Sequence, residues 1–325
     1  IYQIEMKQNF ISFTSTTRSS SLSLLRIFCA FQVYFIHYFA GHDIRSEAWI
    51  FNLAVPTFLL LSAYLYGLRR KDGEVLQVDF LKKRFISLSS TLYPFVLIVF
   101  IVFTFLNSEN MGQYTISLIV NLLYSCNIYE PLPHCGHLWF MQSLAICYLA
   151  MYLCSKNRVC EKMCINRWGG VMVVLAISLA CGFIYRGNYL PYIVSYILVY
   201  YHARSIRTFM QQRSFWFCIS LLIMHYIISV THYNEIFHYG IYLYYFETSL
   251  FSLVGIALFE KLFDCLKPNK IIDYMAAITM EFYLCHHFFA FDYPLLQGLA
   301  ITVVLAIILH FVAVRVKVWM NTIIL

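Results

Sequence analysis

The chain has 325 residues, of which 61% are hydrophobic and only 12% charged. Soluble domains sit nearer about 45–50% apolar and about 25% charged, so an ordinary globular domain is excluded. Its long continuous apolar stretches also exclude a porin-like barrel, whose strands would alternate in short segments. The net charge of +7 would suit a nucleic acid, but its distribution along the chain points elsewhere.

The first 20 residues are too polar for the apolar core of a signal peptide. After them, apolar stretches long enough to cross a bilayer recur. Ten spans are predicted at roughly 22–40, 49–68, 85–106, 137–154, 168–186, 189–202, 214–231, 240–260, 271–292 and 294–314. Assigning the 23 Lys and Arg residues to alternate sides puts 20 on the first side; Arg45 and Arg186 fall on the other, and Arg26 lies within the first span. Basic residues stay cytoplasmic, so both termini are expected inside. The positive charge is thus topology, and no nucleic-acid partner is expected. The expected fold class is all-α: a polytopic protein of about ten transmembrane helices. Residues 1–21 form a cytoplasmic segment, 22–314 the membrane domain and 315–325 a cytoplasmic tail.

The same parity settles two ambiguous stretches. The sixth span is short, but without it Arg204, Arg207 and Arg213 would lie outside. The apolar stretch 114–128 cannot cross without inverting everything downstream. Its residues Ile116, Ile119, Val120 and Leu123 follow helical spacing, with Ser117, Asn121 and Ser125 elsewhere. It is expected to lie in the outer interface or to pack over the bundle. The cysteines in spans read as small apolar residues. Cys160 and Cys164 lie one helical turn apart on the inner side. Cys126 and Cys135 share the large outer loop and could pair if that side is oxidising.

Ionisable groups inside spans are costly, on the order of 2.5–3.5 kcal/mol at the bilayer centre, so each is a functional candidate. Arg26 and His37 are separated by close to three helical turns. They share a face and lie roughly 16 Å apart along the axis, with Arg26 near the cytoplasm and His37 in the outer half. A plain reading is open: Arg26 snorkels to the inner interface and His37 meets a polar neighbour. His137, at the start of the fourth span, and His286 and His287, late in the ninth, fall at a similar depth. Glu281 lies about two turns below His287, and Glu247 sits in the eighth span. Imidazoles titrate near neutral pH, so this depth can host proton transfer. A metal site is the rival, with His134 and His137 as its best pair; carboxylate ligands at matching spacing are lacking, and none is expected.

These residues also carry a resemblance. Arg26-x10-His37 resembles the hallmark of the membrane acyltransferase type 3 family, which includes O-acetyltransferases of bacterial surface polysaccharides. The run from Pro56 to Ser62 resembles that family's second span, although Ser62 is followed by Ala63 where the family usually has Ser-Gly. Phe80-Leu-Lys-Lys-Arg84 ahead of Pro94 resembles its basic entry to the third span. His137-Leu-Trp139-Phe resembles a further motif, and Tyr283-Leu-Cys-His286 the late tyrosine-leucine-x-histidine motif. The motifs keep their order from residue 26 to 286.

The resemblance implies an enzyme of the plasma (inner) membrane. It would move an acyl group, usually acetyl, from cytoplasmic acyl-coenzyme A, a co-substrate and not a bound cofactor, to a hydroxyl of a cell-surface or lipid-linked saccharide. Its partners would be donor, saccharide acceptor, membrane lipid and other envelope-biosynthesis proteins. His37 and Arg26 are then the expected catalytic residues, His37 either receiving the acyl group or acting as general base on the acceptor hydroxyl, and Arg26 guiding the donor. His137, Trp139, Glu281, Tyr283 and His286 would form the surroundings or acceptor site. Trp139, Ser62 or Tyr283 would supply oxyanion donors. Arg69, Arg70, Lys71, Lys82, Lys83 and Arg84 would bind the polyanionic donor, arginine through its fork and lysine as a point charge. An exporter or flippase of a polysaccharide or lipid-linked sugar is the alternative. It should carry internal repeats or paired broken helices, and no repeat is seen. A structural or sensory membrane subunit is a third option.

The charge split predicts topology directly. A reporter fused after Lys83 or after Arg207 should read cytoplasmic, and one within 107–136 extracytoplasmic. A cytoplasmic signal from 107–136 would overturn the ten-span order.

Overall fold

The computed structural model describes residues 20–42, 51–71, 73–125, 132–166, 172, 190–231 and 241–324. Every regular element among them is helical. In chain order these are α1 (Ser20–Gly41), α2 (Ala54–Arg69), α3 (Val78–Leu106), α4 (Met111–Leu122), α5 (Trp139–Lys156), α6 (Arg158–Ile165), α7 (Leu190–Gln211), α8 (Phe215–Thr231), α9 (Ile241–Phe263), α10 (Lys270–Ala277), α11 (Thr279–Cys285) and α12 (Leu295–Ile324). Four stretches among the described residues are long and apolar enough to cross a membrane: Ser20–Gly41, Val78–Leu106, Gly136–Lys156 and Leu295–Ile324. The expected fifth span, apart from residue 172, and Cys126 lie outside the described residues.

The bundle is built around α2. This helix touches α1, α7 and α9, while α3 packs against α5 and α12 and α8 packs on α9. The α2–α7 approach depends on Gly67, where an added Cβ would collide with the Tyr200 carbonyl and with Ala203. Small residues let helix backbones come close, which is how helices gain dispersion contacts in an apolar solvent. The shared core joins Leu59, Leu60, Leu92, Leu138, Met141 and Met151.

Several boundaries differ from the sequence expectation. Helix α3 begins at Val78, not near 85, so Lys82, Lys83 and Arg84 belong to its first turns and not to a loop. The sixth span lengthens into α7, a 22-residue helix that carries Arg204 and Arg207. The ninth is broken at Ile278 between α10 and α11 and ends in a 3-10 turn over His286–Phe288. There the Thr279 hydroxyl donates to the Ala276 carbonyl (2.9 Å), an acceptor that would otherwise belong to the helix ladder. The tenth span runs on to Ile324, so nearly all of the expected tail is helix.

Helix α4 takes the second of the two places expected for it. It packs along α3, where Tyr93 donates to the Leu122 carbonyl (3.1 Å) and Tyr124 is hydrogen-bonded to Ser89 (2.9 Å). Its polar residues Ser117 and Asn121 are buried, whereas Ile116, Ile119 and Leu123 are exposed. An interfacial helix would bury its apolar face in lipid and wet its polar face; this one turns the polar face to the protein.

Gly67→Val tests the close α2–α7 contact. Forcing a branched side chain into it should cost about 1–3 kcal/mol, read as a lower melting temperature in detergent. An unchanged melting temperature would show that the two helices separate without cost.

Candidate active site

At the end of the bundle where α1 and α11 end and α5 begins, four imidazoles gather. The His37 ring lies 4.9 Å from His286 and 5.0 Å from His287, centroid to centroid. The His137 ring lies 5.2 Å from His286 and 4.8 Å from His287. His134 joins at the edge, 6.2 Å from His287. Three chain segments, the first and last more than 240 residues apart in sequence, thus supply one cluster. Phe291, Phe95 and Phe288 pack around it.

Local chain geometry aims these rings. The 3-10 turn Gly136–Leu138 leads into α5 and buries His137. The 3-10 turn after α11 places His286 inward at 0% exposure and leaves His287 half-buried. Two reciprocal bonds lock the turns together: Tyr283 Oη donates to the His137 carbonyl (2.7 Å), and His137 Nε2 donates to the Leu284 carbonyl (3.1 Å).

These partners decide the tautomers. A carbonyl oxygen only accepts, so His137 carries its proton on Nε2. By the same logic His286 carries its proton on Nδ1, which donates to the Tyr283 carbonyl. In a neutral imidazole the other nitrogen is then a lone-pair acceptor. Those atoms, His137 Nδ1 and His286 Nε2, are buried without a hydrogen-bond partner, as is His287 Nδ1. A buried polar atom left unanswered is destabilising by about 1–3 kcal/mol, so these lone pairs are open to a hydrogen bond from an incoming hydroxyl. Among the described residues no three His, Cys, Asp or Glu side chains are placed to hold a metal ion.

The other expected residues separate. Glu281 is buried but bonds His310 Nδ1 of α12 (2.9 Å), not the cluster, and its Oε2 has no hydrogen-bond partner. Glu247 likewise pairs with His225 across α8 and α9 (3.0 Å). Ser62 is hydrogen-bonded to Tyr148 and Tyr196, 3.2 Å each. With Tyr283 Oη committed to His137, neither hydroxyl is free for an oxyanion. Trp139 is half-buried beside Phe140.

The cations at the opposite, basic end also divide. Arg69, Lys71 and Lys83 are exposed and Lys82 half-buried. Arg70 is buried, pairs with Glu161 of α6 (2.8 Å) and stacks on Tyr201. Arg84 turns inward over Tyr66 and Phe80. Arg26 and Arg84 both lie within electrostatic reach of the Tyr66 hydroxyl. Sequence reasoning set His287 at the depth of His37 without naming it a site residue; it missed His310 as the partner of Glu281 and the inward placing of Lys317, which nothing local signals.

A family model described as an acyltransferase domain matches residues 19–321. No curated protein and no solved structure matches the chain.

The reciprocal lock gives a test. Tyr283→Phe should leave the His137 carbonyl buried and unpaired, costing about 1–3 kcal/mol. Thermal unfolding of the purified variant would read this as a fall in melting temperature. An unaltered unfolding curve would mean that the phenol does not hold the two turns together.

Proposed function

Because the chain belongs to the acyltransferase family whose model spans residues 19–321, we propose that it is a membrane O-acyltransferase. It moves an acyl group, acetyl in the simplest case, from cytoplasmic acyl-coenzyme A to a hydroxyl of a cell-surface or lipid-linked saccharide. The observation that carries this reading is the pair of unanswered lone pairs, on His137 and His286, in the cluster that holds His37. The ten crossings, the cytoplasmic termini and a plasma-membrane location belong to the same reading and rest on the charge pattern.

An alcohol is almost fully protonated at neutral pH, so its attack on a thioester needs a base. In this reading His37 takes the acceptor's proton as the hydroxyl oxygen attacks the thioester carbonyl. The tetrahedral oxyanion collapses, the carbon–sulfur bond breaks, and the proton ends on the coenzyme A thiolate. His37 is the least enclosed of the three rings named, as a residue meeting substrate from outside must be. His137 and His286 stand behind it and can share or relay the proton.

The donor's phosphates are assigned to the exposed cations of the basic end: Arg69 and Lys71 at the end of α2, with Lys82 and Lys83 on the first turns of α3. Arg26 lies between that surface and His37 on one face of α1, about 16 Å below the imidazole by helical rise. It is placed to orient the extended arm of the donor as the thioester reaches the cluster. Arg70, held by Glu161, maintains the fold of the basic end instead.

Two measurements test this. His37→Ala should lower acyl transfer by at least about a hundredfold, the usual loss of a general base being about 10²–10⁴, while the protein still inserts and folds. Near-normal transfer would remove His37 from the chemistry. Neutralising Arg69 and Lys71 together should raise the Michaelis constant for acetyl-coenzyme A with little change in kcat. A constant that stays the same would leave those charges to topology alone.

A further inference from the structure

Arg84 is the one member of the second basic cluster that the donor assignment leaves unused. It lies about six residues into α3 with its guanidinium turned inward, and its Nε is buried without a hydrogen-bond partner. It also lines a cavity of about 380 Å³ between α3, the end of α4 and α5. Leu88, Ile146, Leu149 and Leu123 line that cavity, and it has no acidic residue among its described walls. Phe85, Leu123, Ile146 and Leu149 are exposed, so the cleft opens sideways, toward hydrocarbon in a membrane.

The polar side chains higher in the cleft, Tyr124, Gln142 and Tyr148, are already engaged. Tyr124 is hydrogen-bonded to Ser89 and Tyr148 to Ser62. At the floor the Arg84 Nε is left without a hydrogen-bond partner. Lys317 of α12 lies within electrostatic reach of Arg84 and of Glu281, and Arg26, like Arg84, lies within electrostatic reach of the Tyr66 hydroxyl. Glu281, the acid there, already holds His310. An apolar slot above an underused cation fits a ligand with an alkyl chain and an anionic head.

We propose that this cleft is a lateral binding site for one anionic phospholipid of the inner leaflet, with an acyl chain between α3 and α5 and its phosphate on Arg84. The headgroup level fits: Arg84 is roughly 9 Å along α3 from the helix start at Val78, and basic residues beside the inner interface attract anionic lipid. A lipid-linked saccharide fits poorly, because its sugar would hang toward the cytoplasm. Tyr148 is at the level of Phe80, and eleven residues of α5, roughly 16 Å, separate it from His137. A donor pantetheine arm fits poorly too, since its amides would run along walls that are mostly apolar and open to hydrocarbon. The site stands independently of the acyl-transfer reading.

Native mass spectrometry of the full chain, released from nanodiscs of mixed phosphatidylglycerol and phosphatidylethanolamine, tests it. The wild type should retain one phosphatidylglycerol at least tenfold in preference to phosphatidylethanolamine. Arg84→Gln should abolish that preference, Ala145→Trp should block retention of either lipid by filling the cleft, and Lys83→Gln should leave it unaltered. Equal retention of the two lipids by wild type, or an undiminished preference in Arg84→Gln, would overturn the proposal. Should Arg84→Gln fail to fold, a full phosphatidylglycerol adduct on Ala145→Trp would overturn it as well. Displacement of the lipid by free coenzyme A would give Arg84 to the donor and overturn it too.

Discussion

Tyr283 donates to the carbonyl of His137 while His137 donates to the carbonyl of Leu284, and this exchange holds the rest of the site in place. It ties the entry of α5 to the exit of α11, two points 146 residues apart in sequence. In a bundle where apolar packing gives little directional preference, buried hydrogen bonds between segments specify which turn meets which. The same exchange decides where His137 carries its proton, and therefore which nitrogen is left to act. His286 is set in the same way by the carbonyl of Tyr283. The active geometry is thus a by-product of closing two short 3-10 turns on each other.

A frame of this kind separates two jobs along the bundle. Imidazoles occupy one end, where the proposed proton transfer would take place; cations occupy the other, where the proposed polyanionic donor would dock. Between them are satisfied pairs that hold helices together: Glu281 with His310, Glu247 with His225, Tyr64 with Glu260 (2.7 Å). Each of these three carboxylates is matched to a named partner, as the cost of burying a charge requires. Arg70 with Glu161 does the same at the basic end, fixing α6 beneath the bundle.

Much of this was legible before any coordinates. The Arg26–His37 spacing, the depth shared by His137 and His286, and the membrane character follow from helical rise and composition, which tertiary context does not change. Three-dimensional partnership was not legible. Glu281 lies near His286 in sequence, yet its carboxylate turns to His310, because a side chain five residues back on a broken helix faces another neighbour. The cations at 82–84 read as a loop because charge suggests solvent, while the asparagine- and glycine-free run from Val78 favours helix. Lys317 looked like tail because nothing in its immediate sequence shows that α12 continues and turns it toward Arg84. The stretch 114–128 has the helical periodicity and takes one of its two expected places, over the bundle; which stripe faces the protein is not legible, and it is the polar one, with Ser117 and Asn121 buried.

The central claim is that a donor bound at the basic end is used at the histidine end, across the membrane. Proteoliposomes sealed with radiolabelled acetyl-coenzyme A inside, and a panel of soluble glycans outside, measure it most directly. For chains oriented with the 69–71 cations facing the lumen, label should appear on external glycan, and none should appear when donor and glycan are both supplied outside. Transfer that needs donor and acceptor on the same side would contradict the account.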